Sequence, residues 1–305
     1  MKIAVFTDET GWHTRQLQRA LRARGAEGRC IDLADCRIDT GATWHGLVIP
    51  GYGRELPDAA LVRGIAGGSF EQVTKRLGVL HALRELGVPV YNDARAIERS
   101  VDKSMTSLLL HAAGVATPPT WAMESAAQAQ RLVTRESASG HALVLKPLFG
   151  SQGKGLQLVG AVEGAHVPLP ALGAYGELAY LQRFVPPMQA PGFDWRVLVV
   201  GGRAITAMRR VSEHWIHNVK QGARVEPAVL TDQLADLAQR AAAALDMDYA
   251  GIDILPSPDG PQVLEVNGVA AWQGLQRVTR FNIAEALVAD LLERKLTGAG
   301  SARQA

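Results

Sequence analysis

Residues 251–268 read GIDILPSPDGPQVLEVNG. Two apolar segments flank a turn at Asp259–Gly260, the pattern of a β-hairpin. Glu265 and Asn267 are two residues apart and share one face of their strand, where Asp253 on the partner strand can meet them. Isoleucine, leucine and valine flank these polar residues, so the hairpin reads as largely buried. A buried carboxylate without a cation is costly. Three oxygen donors on one sheet face suit a hard ion such as Mg²⁺, which takes one or two carboxylates together with substrate phosphates. An acidic pair turned to solvent is the plain alternative, and the apolar flanks weigh against it.

Upstream, residues 143–156 read LVLKPLFGSQGKGL. A P-loop would need GxxxxGK followed by Ser or Thr at a helix start. Here Gly150–Gly155 lies between two expected strands and Lys154 is followed by Gly155, so this is not a Walker loop. A glycine hairpin can still lay backbone N–H groups over phosphates, with Lys146 closing the strand before it. The turn alone does not separate that reading from a surface β-turn with lysines.

Around these two stretches the chain alternates regularly. Lys2–Thr7 is an apolar strand, and Thr10–Arg24 has helical spacing that ends at Gly25. EGRCIDL and HGLVIPGYG read as further strands of a parallel sheet, Ser69–Gly87 as a helix and VPVYND as another strand. No GxGxxG follows the first strand, so a dinucleotide fold has little support. From Val101 come a helix closed by Gly114, an alanine-rich helix over Glu124–Ser137, strands HALVLKP and GLQLVG, and a Gly/Pro/Ala-rich linker over Gly160–Gly176. ELAYLQRFV follows, then a hairpin turning at Gly201–Gly202, an amphipathic helix over Thr231–Asp246, the opening hairpin and a terminal helix over Asn282–Lys295. This predicts an α/β (α+β) chain with a βα unit over 1–95, a small lid-like unit with a connecting helix over 96–180, an antiparallel unit over 181–296 and a flexible tail over 297–305.

Composition narrows the function classes. The 305 residues are 47% hydrophobic and 20% charged, ordinary for a soluble globular protein. A net charge of +2 gives no basic excess that calls for nucleic acid. No apolar run reaches the roughly 20 residues of a membrane span, and the N-terminus lacks the pattern of a signal peptide. Cys30 and Cys36 have no metal-ligand spacing and read as reduced thiols, which makes a cytoplasmic location the expectation.

The ordered set DKSMTSLLLHAAGVATPPT, LVLKPLFGSQGKGL, DWRVLVVGGRAITAMRR, HNVKQGA, AGIDIL and LEVNG, between about residues 92 and 294, resembles the ATP-grasp superfamily, and within it the RimK-like glutamate ligases. The N-terminal unit is similar to the family's pre-ATP-grasp domain, with weaker cues. The resemblance implies that Lys103 and Lys146 hold ATP phosphates while the turn Gly150, Ser151, Gln152 and Gly153 closes over them. It implies that adenine meets the backbone around Gln182, Arg183 and Phe184, with Asp194 near the ribose or phosphates. Arg196 and Arg210 would face the acyl-phosphate region and Asn218 the substrate. Asp253, Glu265 and Asn267 would carry Mg²⁺, with Mn²⁺ as an alternative ion.

Three departures stand out. Arg183 replaces the glutamate that usually follows the hinge glutamine. The usual Trp/Phe-Arg-x-Asn run appears as Trp215-Ile216-His217-Asn218, so an arginine near ATP is missing and His217 or Lys220 is expected to substitute. The usual Ser/Thr-Pro-Gly turn after Asn267 is replaced by GVAAWQGLQ, which offers Trp272 either as a substrate-pocket residue or as a core indole under the terminal helix. The implied activity is ATP-dependent amide formation through an acyl phosphate. It would add L-glutamate to a tetrahydromethanopterin- or methanofuran-type molecule or a peptide, without nucleic acid or membrane, and with homo-oligomerisation open by analogy. A phosphotransferase that forms no amide and a non-catalytic nucleotide-binding protein are the alternatives.

Overall fold

The computed structural model describes residues 1–41, 43–150 and 152–297. Lys2–Phe6 (β1) buries four successive residues, the pattern of a parallel strand covered on both faces. The chain continues through Trp12–Ala23 (α1), Glu27–Ile31 (β2), Arg37–Ile38 (β3), Leu47–Val48 (β4), Ala59–Val62 (β5), Phe70–Glu85 (α2) and Val90–Tyr91 (β6). The order β2-β1-β5-β6 forms one parallel sheet. Alternation along β1 sends Ile3 and Val5 into a core with α1, and Ala4 and Phe6 into another with α2. HGLVIPGYG does not supply a strand of this sheet, because β4 pairs antiparallel with β3 in a ribbon of its own. The third parallel strand is β5, whose four-residue AALV run between polar flanks was too short to stand out.

Ala94–Val101 (α3), unforeseen in the sequence, leads directly into Lys103–Ala112 (α4), with Asp102 capping the second helix through Ser104 N at 2.8 Å. Thr120–Met123 (β7), Ala126–Ala138 (α5), Ala142–Lys146 (β8), Gln157–Val162 (β9), Ala165–Val167 (β10) and Ala179–Arg183 (β11) follow. Their sheet has the order β10-β9-β8-β11-β7, and α5 packs on one of its faces through Ala129, Leu132 and Val133. Two expectations change here. The segment 160–176 is not a plain linker, since β9 runs into it and turns back as β10. The strand β11 sits inside this sheet, so the break between second and third units falls beyond Arg183 rather than between residues 180 and 181.

Gly192–Val200 (β12), Arg203–Ser212 (β13), Arg224–Pro227 (β14), Asp232–Ala244 (α6), Tyr249–Leu255 (β15) and Gln262–Asn267 (β16) build the third sheet, antiparallel in the order β14-β13-β12-β15-β16. Both hairpins turn where the glycines predicted. Leu234, Leu237, Ala238 and Ala241 of α6 bury against Val197, Val199, Ile252 and Ile254. Gln273–Val278 (α7) and Ile283–Asp290 (α8) follow, α8 runs on into a π-helical turn over Leu291–Leu296, and α8 packs back on α1. The tail expected over 297–305 lies outside the described residues from 298 onward.

The first and third sheets are stitched together by buried polar groups. Asn92, fully buried, donates from Nδ2 to Tyr249 O and Gly268 O at 2.7 Å, and its Oδ1 accepts from Asp248 N at 2.6 Å. Trp272, fully buried in the same junction, packs against Trp12 and His13 of α1. No helix among the described residues is long and apolar enough to cross a membrane.

Candidate active site

The second and third sheets face each other across a cleft enclosing about 1160 Å³ of empty space, its open mouth included. Lys146, at the end of β8, donates to Gln182 Oε1 on the adjacent β11 at 2.6 Å. Burial, reinforced by the charge of Lys103, lowers its pKa to about 8, although Glu265 opposes the shift. Lys103, the first residue of α4, is also lowered by burial, against the pull of Glu265 and Asp102. Two ammonium groups lowered by burial thus share one wall, a placement that an anion in the cleft would favour.

The glycine turn lies over this wall and is held there. Lys103 Nζ donates to Gly150 O at 2.8 Å and to Leu148 O at 3.2 Å. Tyr175 Oη donates to Gly155 O at 3.0 Å, and Gln221 Nε2 to Gln152 O at 3.2 Å. Gly153 has φ +71°, and a Cβ there would lie 2.7 Å from Asn218 Oδ1 and 2.8 Å from Ile216 Cγ2. Only glycine lets the turn rest on the 215–218 segment. Gly150, Gln152 and Gly153 line the cleft, while Ser151 lies outside the described residues.

Gln182 and Arg183 are neighbours on β11 and therefore point to opposite faces. Gln182 faces the lysines. Arg183 forks onto Glu136 Oε2 of α5, with Nε at 3.2 Å and Nη2 at 2.7 Å. Arg183 lies at the cleft edge, while its guanidinium is engaged behind the sheet. Phe184 reaches the mouth and meets Trp215 edge-on, with ring centroids 5.7 Å apart.

The floor comes from the third sheet. Asp194 and Arg210 form a two-toothed ion pair, with Nε to Oδ1 at 2.7 Å and a second bond from Nη2 to Oδ2. Arg210 Nη2 also lies 2.9 Å from Asp253 Oδ2, and Arg196 grips Asp253 with both Nε and Nη2 at 2.7 Å. Burial opposes ionisation of Asp253, but the two guanidiniums outweigh it and hold the carboxyl below its ordinary pKa. Burial also opposes the charge on Arg210, and the two carboxylates overcome it and raise its pKa. Asp194 is 2% exposed, so it supports Arg210 from below. Arg196 does not line the cleft; it acts only through Asp253.

Asp253 pairs directly with Glu265 across the hairpin, and Asn267 Nδ2 lies 3.4 Å from Asp253 Oδ2. A carboxylate has about four lone-pair positions, and the arginines take three on Asp253. The Glu265 side chain holds no hydrogen bond or ion pair among the described residues, and its charge acts instead on Lys103 and Lys146. Asn267 takes the fourth, so the open capacity is that of Glu265, and an unpaired carboxylate next to Asp253 and facing two ammonium groups fits a divalent ion shared with phosphate oxygens. Asn267 stands one step back from the cleft wall, tied to Gly251 O at 3.2 Å. Among the described residues no cluster of three or more His, Cys, Asp or Glu side chains could hold a metal without such outside ligands.

Three expectations change. His217 lines the cleft but carries no charge there: burial and then Arg210 lower its pKa to about 4, and its Nε2 is buried without a partner. Lys220 is exposed and off the cleft, so neither residue replaces the missing arginine; Ile216 fills that place with an apolar contact to the turn. Trp272 is core rather than pocket, because the chain after Asn267 turns inward between the first and third sheets. Residues not foreseen include Lys154 at the turn tip, which brings a further cation to the cleft, and Tyr180, whose hydroxyl lies 2.9 Å from Ser107 Oγ. Tyr180 was findable, being two residues before Gln182 on the same face.

The chain is similar to known proteins over nearly its whole length. Residues 1–97 match the RimK PreATP-grasp domain and residues 100–291 the RimK-like ATP-grasp domain. The tetrahydromethanopterin:alpha-L-glutamate ligase of Methanocaldococcus jannaschii is 34% identical over 240 residues, covering 77% of this chain and 79% of that protein. The probable alpha-L-glutamate ligase 2 of Hahella chejuensis is 30% identical over 303 residues, covering 98% and 97%. In fold, the chain is similar to the ATP-grasp ligase PsnB complexed with a phosphomimetic variant of minimal precursor, Mg and ADP, with TM-score 0.69, 22% identity and coverage of 95% and 97%. With both domain models matched end to end and the cleft between its second and third sheets, the chain belongs to the RimK-like ATP-grasp family and is an ATP-dependent carbon–nitrogen ligase.

Proposed function

We propose that this chain joins L-glutamate to a carboxylate-bearing small molecule or peptide, activating the acid with ATP. The observation that carries the reading is the facing of Lys103 and Lys146 against Glu265 and the Asp253–Arg210 pair across one cleft. The relatives named as alpha-L-glutamate ligases support glutamate as the amino acid. The relatives named tetrahydromethanopterin:alpha-L-glutamate ligase support a pterin-type acceptor, and Trp272, being core, adds no cue of its own.

In this reading the phosphates lie along Lys146 and Lys103 under the glycine turn, and the adenine edge meets the backbone at Gln182–Phe184. Asp253 and Glu265, with Asn267 behind them, would hold Mg²⁺, which neutralises phosphate charge when bound. An oxygen of the acceptor carboxylate attacks the γ-phosphorus, and the bond to ADP breaks. The amine then attacks the acyl carbon, phosphate departs with the bonding pair, and the amine proton leaves to solvent or phosphate. Arg210 stands beside these oxygens already oriented by two carboxylates, so it stabilises developing charge without reorganising. Lys154 and the turn exclude water from a hydrolysable intermediate. His217, being neutral, contributes polarity rather than charge.

The test is incubation with ATP, Mg²⁺, L-glutamate and a panel of carboxylic acids, read by mass spectrometry and by ADP release. A glutamyl adduct is expected, and hydroxylamine should divert the activated acid to a hydroxamate. ADP release with neither adduct nor hydroxamate would favour a phosphotransferase instead.

A further inference from the structure

The parallel sheet changes winding direction between β1 and β5: β1 leads through α1 to β2 on one side, and β5 through α2 to β6 on the other. In open parallel sheets such a reversal opens a crevice beyond the carboxyl ends of the strands, and ligands settle there. Its walls here are residues 7–11 after β1 and residues 63–68 after β5. The 269–272 segment of the third unit closes against them.

Arg63 opens the second wall. Its guanidinium carbon lies 5.3 Å from the centre of the Trp272 indole, and its Nη1 donates to Val269 O at 3.2 Å. Its Nε is buried and has no hydrogen-bond partner, and Arg63 makes no ion pair among the described residues. The indole beneath it is fully buried, and its Nε1 is also without a partner. His13 adds no compensating charge, since its Nε2 accepts from Trp272 N at 3.2 Å and from Gln273 N at 3.3 Å. Asp8 and Glu9 on the facing wall are exposed, and Asp8 packs over Gly64, where a Cβ would come within 2.1 Å of its Oδ1. Neither pairs with Arg63. A half-buried guanidinium carried over an aromatic ring, with donors unfilled, is costly unless an anion completes it.

The position is also suitable. Val269, which Arg63 holds, is two residues beyond Asn267, so about 7 Å of chain at most separates this anchor from the end of the carboxylate hairpin. The crevice therefore adjoins the hairpin end of the cleft, away from the lysines that face phosphate.

We propose that Arg63 is a substrate-binding residue, taking a non-reacting carboxylate of the amino acid whose amine attacks, in the crevice between the first and third units. The assignment rests on the ligase reading. A planar fork matches a carboxylate with two parallel hydrogen bonds. The Trp272 ring lies against that fork, which gives the replacement of the family's usual turn a role one step removed from substrate.

The experiment compares wild type with Arg63→Gln and Arg63→Lys, reading ADP release against L-glutamate and against ATP. Calorimetric titration of L-glutamate into protein holding ADP and Mg²⁺ runs beside it. Arg63→Gln should raise the KM for L-glutamate about 10- to 100-fold, the loss of one two-toothed charge-assisted contact, and leave the KM for ATP unchanged. Arg63→Lys should raise it several-fold, because charge remains and the fork does not. Should the glutamine variant fail to fold, the lysine variant carries the test alone. Unaltered glutamate KM and binding in a folded variant would overturn the assignment and leave the ligase reading standing. Glutamate binding that weakens in the variants while no acid yields an amide would support the crevice and remove the ligase. Absence of any L-glutamate binding to wild type would end both.

Discussion

The two faces of the third sheet are made by alternate residues of the same strands, and they are held together by opposite means. On β12, Val197 and Val199 turn to α6, while Asp194 and Arg196 turn to the other side. On β15, Ile252 and Ile254 face α6 and Asp253 faces the cleft. The apolar face is stabilised by area removed from water, which is additive and tolerant of small changes. The charged face stacks Asp194, Arg210, Asp253 and Arg196 in an unbroken line of ion pairs, where each charge is affordable only because of its neighbours. Similar burial thus hides different vulnerabilities.

The sharpest way to expose that difference is Arg210→Gln. It leaves two buried carboxylates with only Arg196 opposing them, and unfolding stability should fall by about 3–5 kcal/mol. Denaturant titration measures this, and the loss should shrink as pH falls and the carboxyls take up protons. A change below about 1 kcal/mol, the level of a surface pair, would show that the line of charges is not a unit.

Glu265→Gln should separate chemistry from stability on the same face. Its carboxylate holds no hydrogen bond or ion pair among the described residues and acts only through the charges of Lys103 and Lys146, so the melting temperature should fall far less than in Arg210→Gln. ADP release should fall about 10²- to 10³-fold, the usual scale for removing one electrostatic contact from a reacting site. If melting temperature fell as far as in Arg210→Gln, Glu265 would belong to the structural network instead.

Lys146 provides a pH test from the opposite wall. Its pKa is lowered to about 8 from 10.5, so between those values the unfolded chain binds more protons than the folded one. The free protein should therefore gain stability as pH rises from about 8 to 10.5, and lose it again as pH falls through 8. ATP binding needs the charged form, so the KM for ATP should climb up to about tenfold per unit above pH 8. Lys146→Met should flatten both profiles; a profile that the substitution leaves intact would assign the titration elsewhere.

The smallest effect belongs to the apolar face. Ile252→Val should cost about 0.5–1.5 kcal/mol and leave every KM unchanged, measured by denaturant unfolding and steady-state kinetics. A kinetic change here would mean that α6 transmits strain to the cleft.

Much of the fold and of the cleft follows from local pattern. Strand alternation and a turn at Asp259–Gly260 bring Asp253 opposite Glu265, and the helical stripe of α6 fixes which face of the sheet it covers. Alternation also places Gln182 and Arg183 on opposite faces, so the side chain that replaces the usual glutamate turns away from the lysines. These properties depend on neighbours two to four residues apart, and one sequence carries them in full. The short strand β5 escaped because four small residues give no periodic signal; it is a strand only because β1 and β6 lie on either side.

The amino-acid sequence by itself determined the two hairpins, the glycine turn and the chemical types gathered around them. Only the tertiary structure decided that Trp272 serves the core, that Arg196 reaches Asp253 instead of the cleft, and that Arg63 is left with unfilled donors. The reason is physical: whether a large or charged side chain meets solvent, ligand or core is set by segments 57 to 259 residues away, and no local rule carries that distance.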